Sequence, residues 1–252
     1  MISIENMSLA FDDNQVFDSL SLEVPQGQCF VVLGKNGCGK SVLLKAIGGL
    51  LDNYSGSIEI NNIDIREFYS KRDEGHKGDI DEVSLSYVFQ KGGLFDSMNV
   101  FDNIAFGLRR LGIEENKIED IVMNNLTRVG LKDSEMKLPS ELSGGMQKRV
   151  GLARALCLNP SIILYDDPTA GLDPVLSDSI ADLLNEIRNN LKSTSLVVTH
   201  DLAVAKKVAD SVILLYEGSI VFSGSVVEFF SKENSFARQF IEGDIDGPID
   251  MY

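Results

Sequence analysis

A mostly parallel α/β fold is what this 252-residue sequence predicts. Short apolar runs at 29–33, 85–89, 161–165 and 196–199 are separated by long stretches of helical periodicity. Strands alternating with helices close as β–α–β units, giving a parallel sheet whose ligand lies at the strands' carboxyl ends. The length also suffices for one full core, most simply one α/β domain with a subdomain. The third observation is Gly34-Lys35-Asn36-Gly37-Cys38-Gly39-Lys40-Ser41, which fits G-x-x-x-x-G-K-[ST] directly after the run 29–33 and before the helical pattern 42–47. In that strand–loop–helix setting, glycines turn successive backbone N–H groups inward around phosphate oxygens and the helix N-terminus adds its positive end. Lys40 would reach the terminal phosphates and Ser41 would offer its hydroxyl to Mg²⁺. A nucleoside triphosphate is the expected ligand.

Ahead of that loop, 2–9 and 16–24 alternate apolar and polar residues and read as antiparallel strands, with Pro25-Gln26-Gly27 as the following turn. Phe11 falls just after the first of them, either covering a core edge or stacking under a base. Beyond the first helix, Tyr54-Ser55-Gly56 reads as a turn, 57–60 as a strand and Asn61-Asn62 as a second turn. The charged, aperiodic stretch 66–82 reads as a solvated loop around a short helix, with His76 as a surface residue. The strand 85–89 ends at Gln90, and from 91 to 157 the pattern is helical; Ile118, Ile121, Val122, Leu126 and Val129 form one apolar face. The strand 161–165 runs into Asp166-Asp167-Pro168, an amphipathic helix begins near Pro174, and the strand 196–199 ends at His200-Asp201. A hairpin at 212–216 and 219–222 turns on Glu217-Gly218, and a helical, acidic end follows Val226. The expected division is one domain over 1–242, with a helical subdomain at 91–157 and an acidic tail at 243–252.

Composition narrows the function. A net charge of −15 argues against nucleic acid or an anionic membrane as a binding surface, since both select clustered Lys and Arg. Three cysteines, Cys29, Cys38 and Cys157, read as reduced cytosolic thiols. No apolar run reaches the length of a membrane span and no signal-peptide pattern opens the chain. The sequence therefore reads as cytosolic unless a membrane partner holds it.

Two further patterns complete the chemistry. Ile162-Ile163-Leu164-Tyr165-Asp166 is an apolar strand ending in a carboxylate, the Walker B pattern, placing Asp166 to hold Mg²⁺ largely through water. Leu142-Ser143-Gly144-Gly145-Met146-Gln147 resembles the ABC signature, LSGGQ-type with Met146 inserted before the glutamine. The chain thereby resembles an ABC ATPase subunit over its whole length. That resemblance implies a P-loop core with an antiparallel β subdomain and an inserted helical one. It also implies the roles of further residues: Phe11 as the adenine platform, Gln90 as the Q-loop glutamine and metal ligand, Ala170-Gly171-Leu172-Asp173 as the D-loop, and His200 as the switch histidine. ABC subunits dimerise head to tail, so Ser143 with the N–H groups of Gly144 and Gly145 would meet the γ-phosphate held by a second copy.

One position departs from the family pattern. Asp167 stands where a glutamate usually activates water, one methylene shorter. Normal turnover, turnover that waits for a partner, and an ATP-gated switch are the three readings; a working but slower ATPase is the expectation, because misplacement by ~1 Å costs about a hundredfold.

Within the family, the segment from Phe89 to Ile104 and the pair Arg238-Gln239-Phe240-Ile241-Glu242-Gly243 with Asp246-Gly247-Pro248 resemble the MlaF/Mkl branch, which serves MCE-type lipid transporters. The resemblance implies an MlaE-like permease as partner, an MCE protein beyond it, a STAS-type regulator, phospholipid or other lipid cargo, and a place on the inner face of the cytoplasmic membrane. A polar-solute importer subunit and a soluble ATPase for iron–sulfur cluster assembly stay as alternatives. The short stretch between Gln90 and Ser143 leaves no room for the coiled coil of a DNA-repair ATPase.

Overall fold

A computed structural model of the chain describes residues 1–67, 69 and 84–250. Apart from its first residues, the expected loop at 66–82, including His76, lies outside them.

Two sheets carry the molecule. The first is antiparallel, in the order β2-β1-β4-β5, built from β1 (Ile2–Phe11), β2 (Asn14–Val24), β4 (Tyr54–Ile60) and β5 (Ile63–Asp64). The second has the order β10-β9-β3-β8-β7-β6, built from β3 (Cys29–Gly34), β6 (Leu85–Val88), β7 (Ile162–Asp166), β8 (Thr194–Val198), β9 (Ser211–Tyr216) and β10 (Ser219–Ser225). All its neighbours are parallel except the β9–β10 hairpin. The alternation of side chains along β3 assigns its two faces. Val31 and Leu33 enter a core shared with the helices that follow β6, whereas Phe30 and Val32 enter a second core closed by the antiparallel sheet and α1 (Lys40–Ile47).

Between β6 and β7 lie α2 (Val100–Arg110), α3 (Glu115–Arg128) and α4 (Gly144–Leu156). Ile118, Val122, Leu126 and Val129 are fully buried, while Ile121 packs at the edge of the same core. The helical stretch starts later than the sequence suggests, because residues 91–99 form turns. Asn103, wholly buried on α2, holds those turns: its Nδ2 donates to the carbonyls of Phe95, Met98 and Asn99, and its Oδ1 accepts from the Phe95 N–H.

After β7 come α5 (Pro174–Leu191), α6 (Leu202–Val208), α7 (Val226–Ser231) and α8 (Ser235–Glu242). Pro174 sits at the first helical position, where no N–H is needed, and the Asp173 side chain accepts from the N–H groups of Val175 and Leu176.

Two local expectations change. Phe11 is the last residue of β1, paired with Asn14, rather than a residue beyond the strand. Tyr54-Ser55-Gly56 belongs to β4 rather than to a turn, because β4 crosses a register shift of β1 between Glu5 and Ser8. Gly56, at φ 80°, lies so close to β1 that a Cβ would stand 2.4 Å from the Asn6 carbonyl oxygen.

The acidic end is a packed element through Asp250. Gln239 is 5% exposed; its Nε2 donates to the carbonyls of Asp244, Ile245 and Ile249, and its Oε1 accepts from the Ile249 N–H. Ile249 is buried, and the Asp250 N–H donates to the Tyr216 hydroxyl. Gln239→Ala should remove about 2 kcal/mol of unfolding free energy and lower Tm by about 4–8 °C, since several main-chain groups lose a buried partner. An unchanged Tm by calorimetry would show that this glutamine does not hold the chain end.

Candidate active site

The parallel sheet brings together residues that are far apart in sequence. The strands β3, β8, β7 and β6 are consecutive neighbours, so their carboxyl ends form one edge. The loop 34–41 leaves β3, His200 follows β8, Asp166 ends β7 and Gln90 follows β6. A cleft of about 260 Å³ at that edge is lined by Phe11, Asn36, Gly37, Gly39, Lys40, Ser41, Gln90 and Asp167, among others.

Backbone geometry shapes the loop. Gly39 has φ 100° and packs so tightly that a Cβ would come within 2.8 Å of the Phe17 ring. Gly34, at φ 153°, would place one 2.5 Å from the Leu215 carbonyl oxygen and 2.7 Å from Cys38 Sγ. No side chain caps α1, whose N-cap is Gly39. Its first N–H groups therefore face the cleft with the helix's positive end, which is an anion site by construction. Lys40 donates to the carbonyls of Gly34 and Lys35, at 2.7 and 2.9 Å. Cys38 is half-buried, and burial pushes its thiol up despite the opposing Lys40 charge.

Ser41 Oγ donates to Asp166 Oδ1 at 2.7 Å. Tyr87, on the neighbouring strand β6, donates to Asp166 Oδ2 at 3.0 Å; burial and then the Asp166 carboxylate hold its phenol protonated. Among the described residues no group of three or more His, Cys, Asp or Glu side chains gathers as a metal site. The oxygen pair of Ser41 and Asp166 fits a different demand, that of a hard divalent ion which keeps most of its waters.

Asp167 is 9% exposed and adopts φ 45°, a left-handed conformation that Asp tolerates better than most residues. Its N–H donates to the Val198 carbonyl at 2.9 Å and fixes it against β8. Thr199 Oγ1 donates to Oδ1 at 3.2 Å, and His200 Nδ1 lies 2.9 Å from Oδ2. The carboxylate and the half-exposed imidazole thus form a pair that can orient a water or a phosphate oxygen.

Ser143, Gly144 and Gly145 are not in this cleft. Ser143 caps α4, accepting from the Met146 N–H at 3.3 Å, and Met146 is simply the third residue of a helix without a bulge. Gln147 turns back, its Nε2 donating to the Pro139 carbonyl at 2.8 Å. The N-terminus of α4 borders a second cleft with Gln90, Lys148, Ala170 and Gly171.

Sequence reasoning does not single out Tyr87, Thr199 or Lys148. Tyr87 reads as a strand residue until β6 is known to pair with β7, and Thr199 reads as the end of an apolar run. Lys148 reads as an ordinary polar helix position, yet it is 8% exposed and its amine lies 3.4 Å from the Asp167 carbonyl oxygen. Burial lowers its affinity for the proton, opposed by the charge of Asp167.

Comparison with known proteins bears on the family and the fold. The family model described as ABC transporter matches residues 17–170. A probable ribonucleotide transport ATP-binding protein, mkl, of Mycobacterium leprae is 40% identical over 99% of this chain and 71% of its own length. The intermembrane phospholipid transport system ATP-binding protein MlaF of Haemophilus influenzae is 34% identical over 99% of this chain and 93% of its own. Among solved structures, the ATP-binding cassette MJ0796, a dimer in a post-hydrolysis state with ADP and Pi, superposes with a TM-score of 0.78 at 26% identity, covering 90% of this chain and 99% of that one. With loop, carboxylate strand, signature helix and histidine all in place on a matching fold, the chain belongs to the ABC transporter family of ATP-binding subunits.

Proposed function

We propose that this chain hydrolyses ATP as the motor of a transporter for phospholipid or a similar lipid. In this reading residues 1–242 work as one ATPase domain, with 91–157 as its helical subdomain and 243–252 as its tail. Phe11 stacks on adenine. The N–H groups of 34–41 and the Lys40 amine hold the phosphates, and Asp167, paired with His200, orients the attacking water. Ser41 and Asp166, with Gln90 at the cleft wall, would hold Mg²⁺, which when bound neutralises phosphate charge. Ser143, Gly144 and Gly145 complete the site of a second copy, consistent with their position outside this chain's own cleft. ATP then joins the two copies, and its loss releases them.

The lipid assignment is carried by the end of the chain. The residues that resemble the MlaF branch there, Gln239 and its neighbours, form a built element, and a phospholipid-transport subunit is similar over nearly the full length. An MlaE-like permease, an MCE protein beyond it and a STAS-type regulator follow as partners, with this chain peripheral on the cytoplasmic face. Among the described residues no helix is long and apolar enough to cross a membrane; in this reading the permease holds the chain at the membrane. The mycobacterial relative, named for ribonucleotide transport, favours a second reading, a polar-solute importer.

Solubilising membranes in mild detergent and purifying the tagged chain should recover a permease together with an MCE protein. A soluble solute-binding protein in their place would favour the second reading, and no membrane partner would favour a soluble role in iron–sulfur cluster assembly.

Asp167→Glu should raise kcat severalfold, and Asp167→Asn should lower it by about a hundredfold or more, as expected for loss of a general base. Equal kcat for wild type and Asp167→Glu would mean that the backbone already compensates for the shorter side chain. Alkylation of Cys38 should block ATP binding, proceed faster at higher pH because the thiol is held up, and be slowed by ATP. Quantitative labelling with full turnover would refute that placement.

A further inference from the structure

Lys148 is a lysine on the signature helix that buries its amine against the residue placed to activate water. Every polar group of Asp167 is engaged. Its N–H meets Val198, its carboxylate meets Thr199 and His200, and its carbonyl accepts from the Ala170 N–H at 3.1 Å and from the Lys148 amine at 3.4 Å. All of these except Lys148 come from β8, from the residues just after it, or from the local turn. Lys148 alone, among the described residues, ties Asp167 by a polar contact to α4.

The helix that carries Lys148 is built to transmit position. Lys148 lies four residues after Gly144 and so shares a face with it. Gly151 touches the loop after Gln90, where a Cβ would stand 2.9 Å from the Gly92 carbonyl oxygen. Arg154 donates to the carbonyls of Gly92 and Gly93. Arg149 donates to the Val129 carbonyl and to Ser179 Oγ on α5. The cleft of about 420 Å³ between the α4 N-terminus, Gln90 and the turn at Ala170-Gly171 gives the helix end room to shift, and Lys148 lines that cleft.

We propose that Lys148 is a positioning residue that couples the two ATP sites of a dimer, tying the signature helix of each chain to the main chain of that chain's own Asp167. This rests on the head-to-tail reading above. When Ser143-Gly144-Gly145 seats against the second chain's nucleotide, α4 carries the Lys148 amine with it. The Asp167 peptide is then set by whether the opposite site is filled. Because the N–H, carbonyl and carboxylate of Asp167 are all held, a pull on its carbonyl moves the residue as a whole and displaces the carboxylate, where a ~1 Å error costs about a hundredfold in rate.

Full-length wild type, Lys148→Met and Lys148→Arg would be compared for ATP turnover across ATP concentration, binding of a fluorescent ATP analogue, ATP-dependent dimerisation by size exclusion, and Tm. Wild type should turn over cooperatively in ATP; Lys148→Met should keep analogue affinity within about twofold, still dimerise, lose about tenfold or more in kcat, and lose that cooperativity. Lys148→Arg, which keeps charge and donors, should recover most of both. Lys148→Met turning over cooperatively like wild type would overturn the proposal. So would a fall in kcat with cooperativity intact, or a joint loss of Tm and analogue binding, which marks a structural peg. A wild type that turns over without cooperativity overturns the coupling and leaves the ATPase reading standing. A wild type that binds ATP and never hydrolyses it removes the ATPase reading itself.

Discussion

The hydrogen-bonded ladder of four adjacent parallel strands, β3, β8, β7 and β6, is the constraint on which the rest of this structure depends. Register in a parallel pair is set over the whole strand, so Asp166 opposite Val198, and Val88 opposite Tyr165, fix where four loops begin. The 2.7 Å bond between Ser41 and Asp166 follows from that ladder, because the two residues are 125 positions apart and share no local structure. Apolar side chains on both faces make the register costly to change: a one-residue slip would exchange the residues of two separate cores.

Electrostatics at the cleft runs against the charge of the chain. The molecule carries −15 overall, yet the cleft is designed for a polyanion. Local groups resolve this. The N–H groups at the start of α1, the Lys40 amine and the glycine backbone act within a few ångströms, whereas scattered surface carboxylates are screened beyond about 8–10 Å at physiological salt.

In the coupling proposed above, α4 does more than present its N-terminus. Two arginines and a glycine fit it against the loop after Gln90, against α3 and against α5, and Lys148 ties it to Asp167. If a helix so attached shifts as one body, an event at its N-terminus reaches the main chain of Asp167 through Lys148. Packed interiors favour such discrete shifts over gradual deformation.

The sequence by itself determined the loop 34–41, the carboxylates at 166 and 167, the histidine at 200, the signature at 143–145 and the alternation that makes a parallel sheet. Those features are local: a glycine spacing, an apolar run ended by a charge, a period of 2 or 3.6. Strand bounds shifted by a few residues, and Gly56 read as a turn, because glycine marks close backbone approach as readily as chain reversal. Only the tertiary structure decided that Tyr87 and Thr199 hold the two carboxylates, that Lys148 is buried against Asp167, and that the acidic end packs around Gln239. The contacts of Tyr87, Thr199 and Lys148 depend on which strands become neighbours and which helix crosses them, and the Gln239 packing on how the chain folds back after α8. Those pairings join positions from ten to more than seventy residues apart, and no local pattern encodes them.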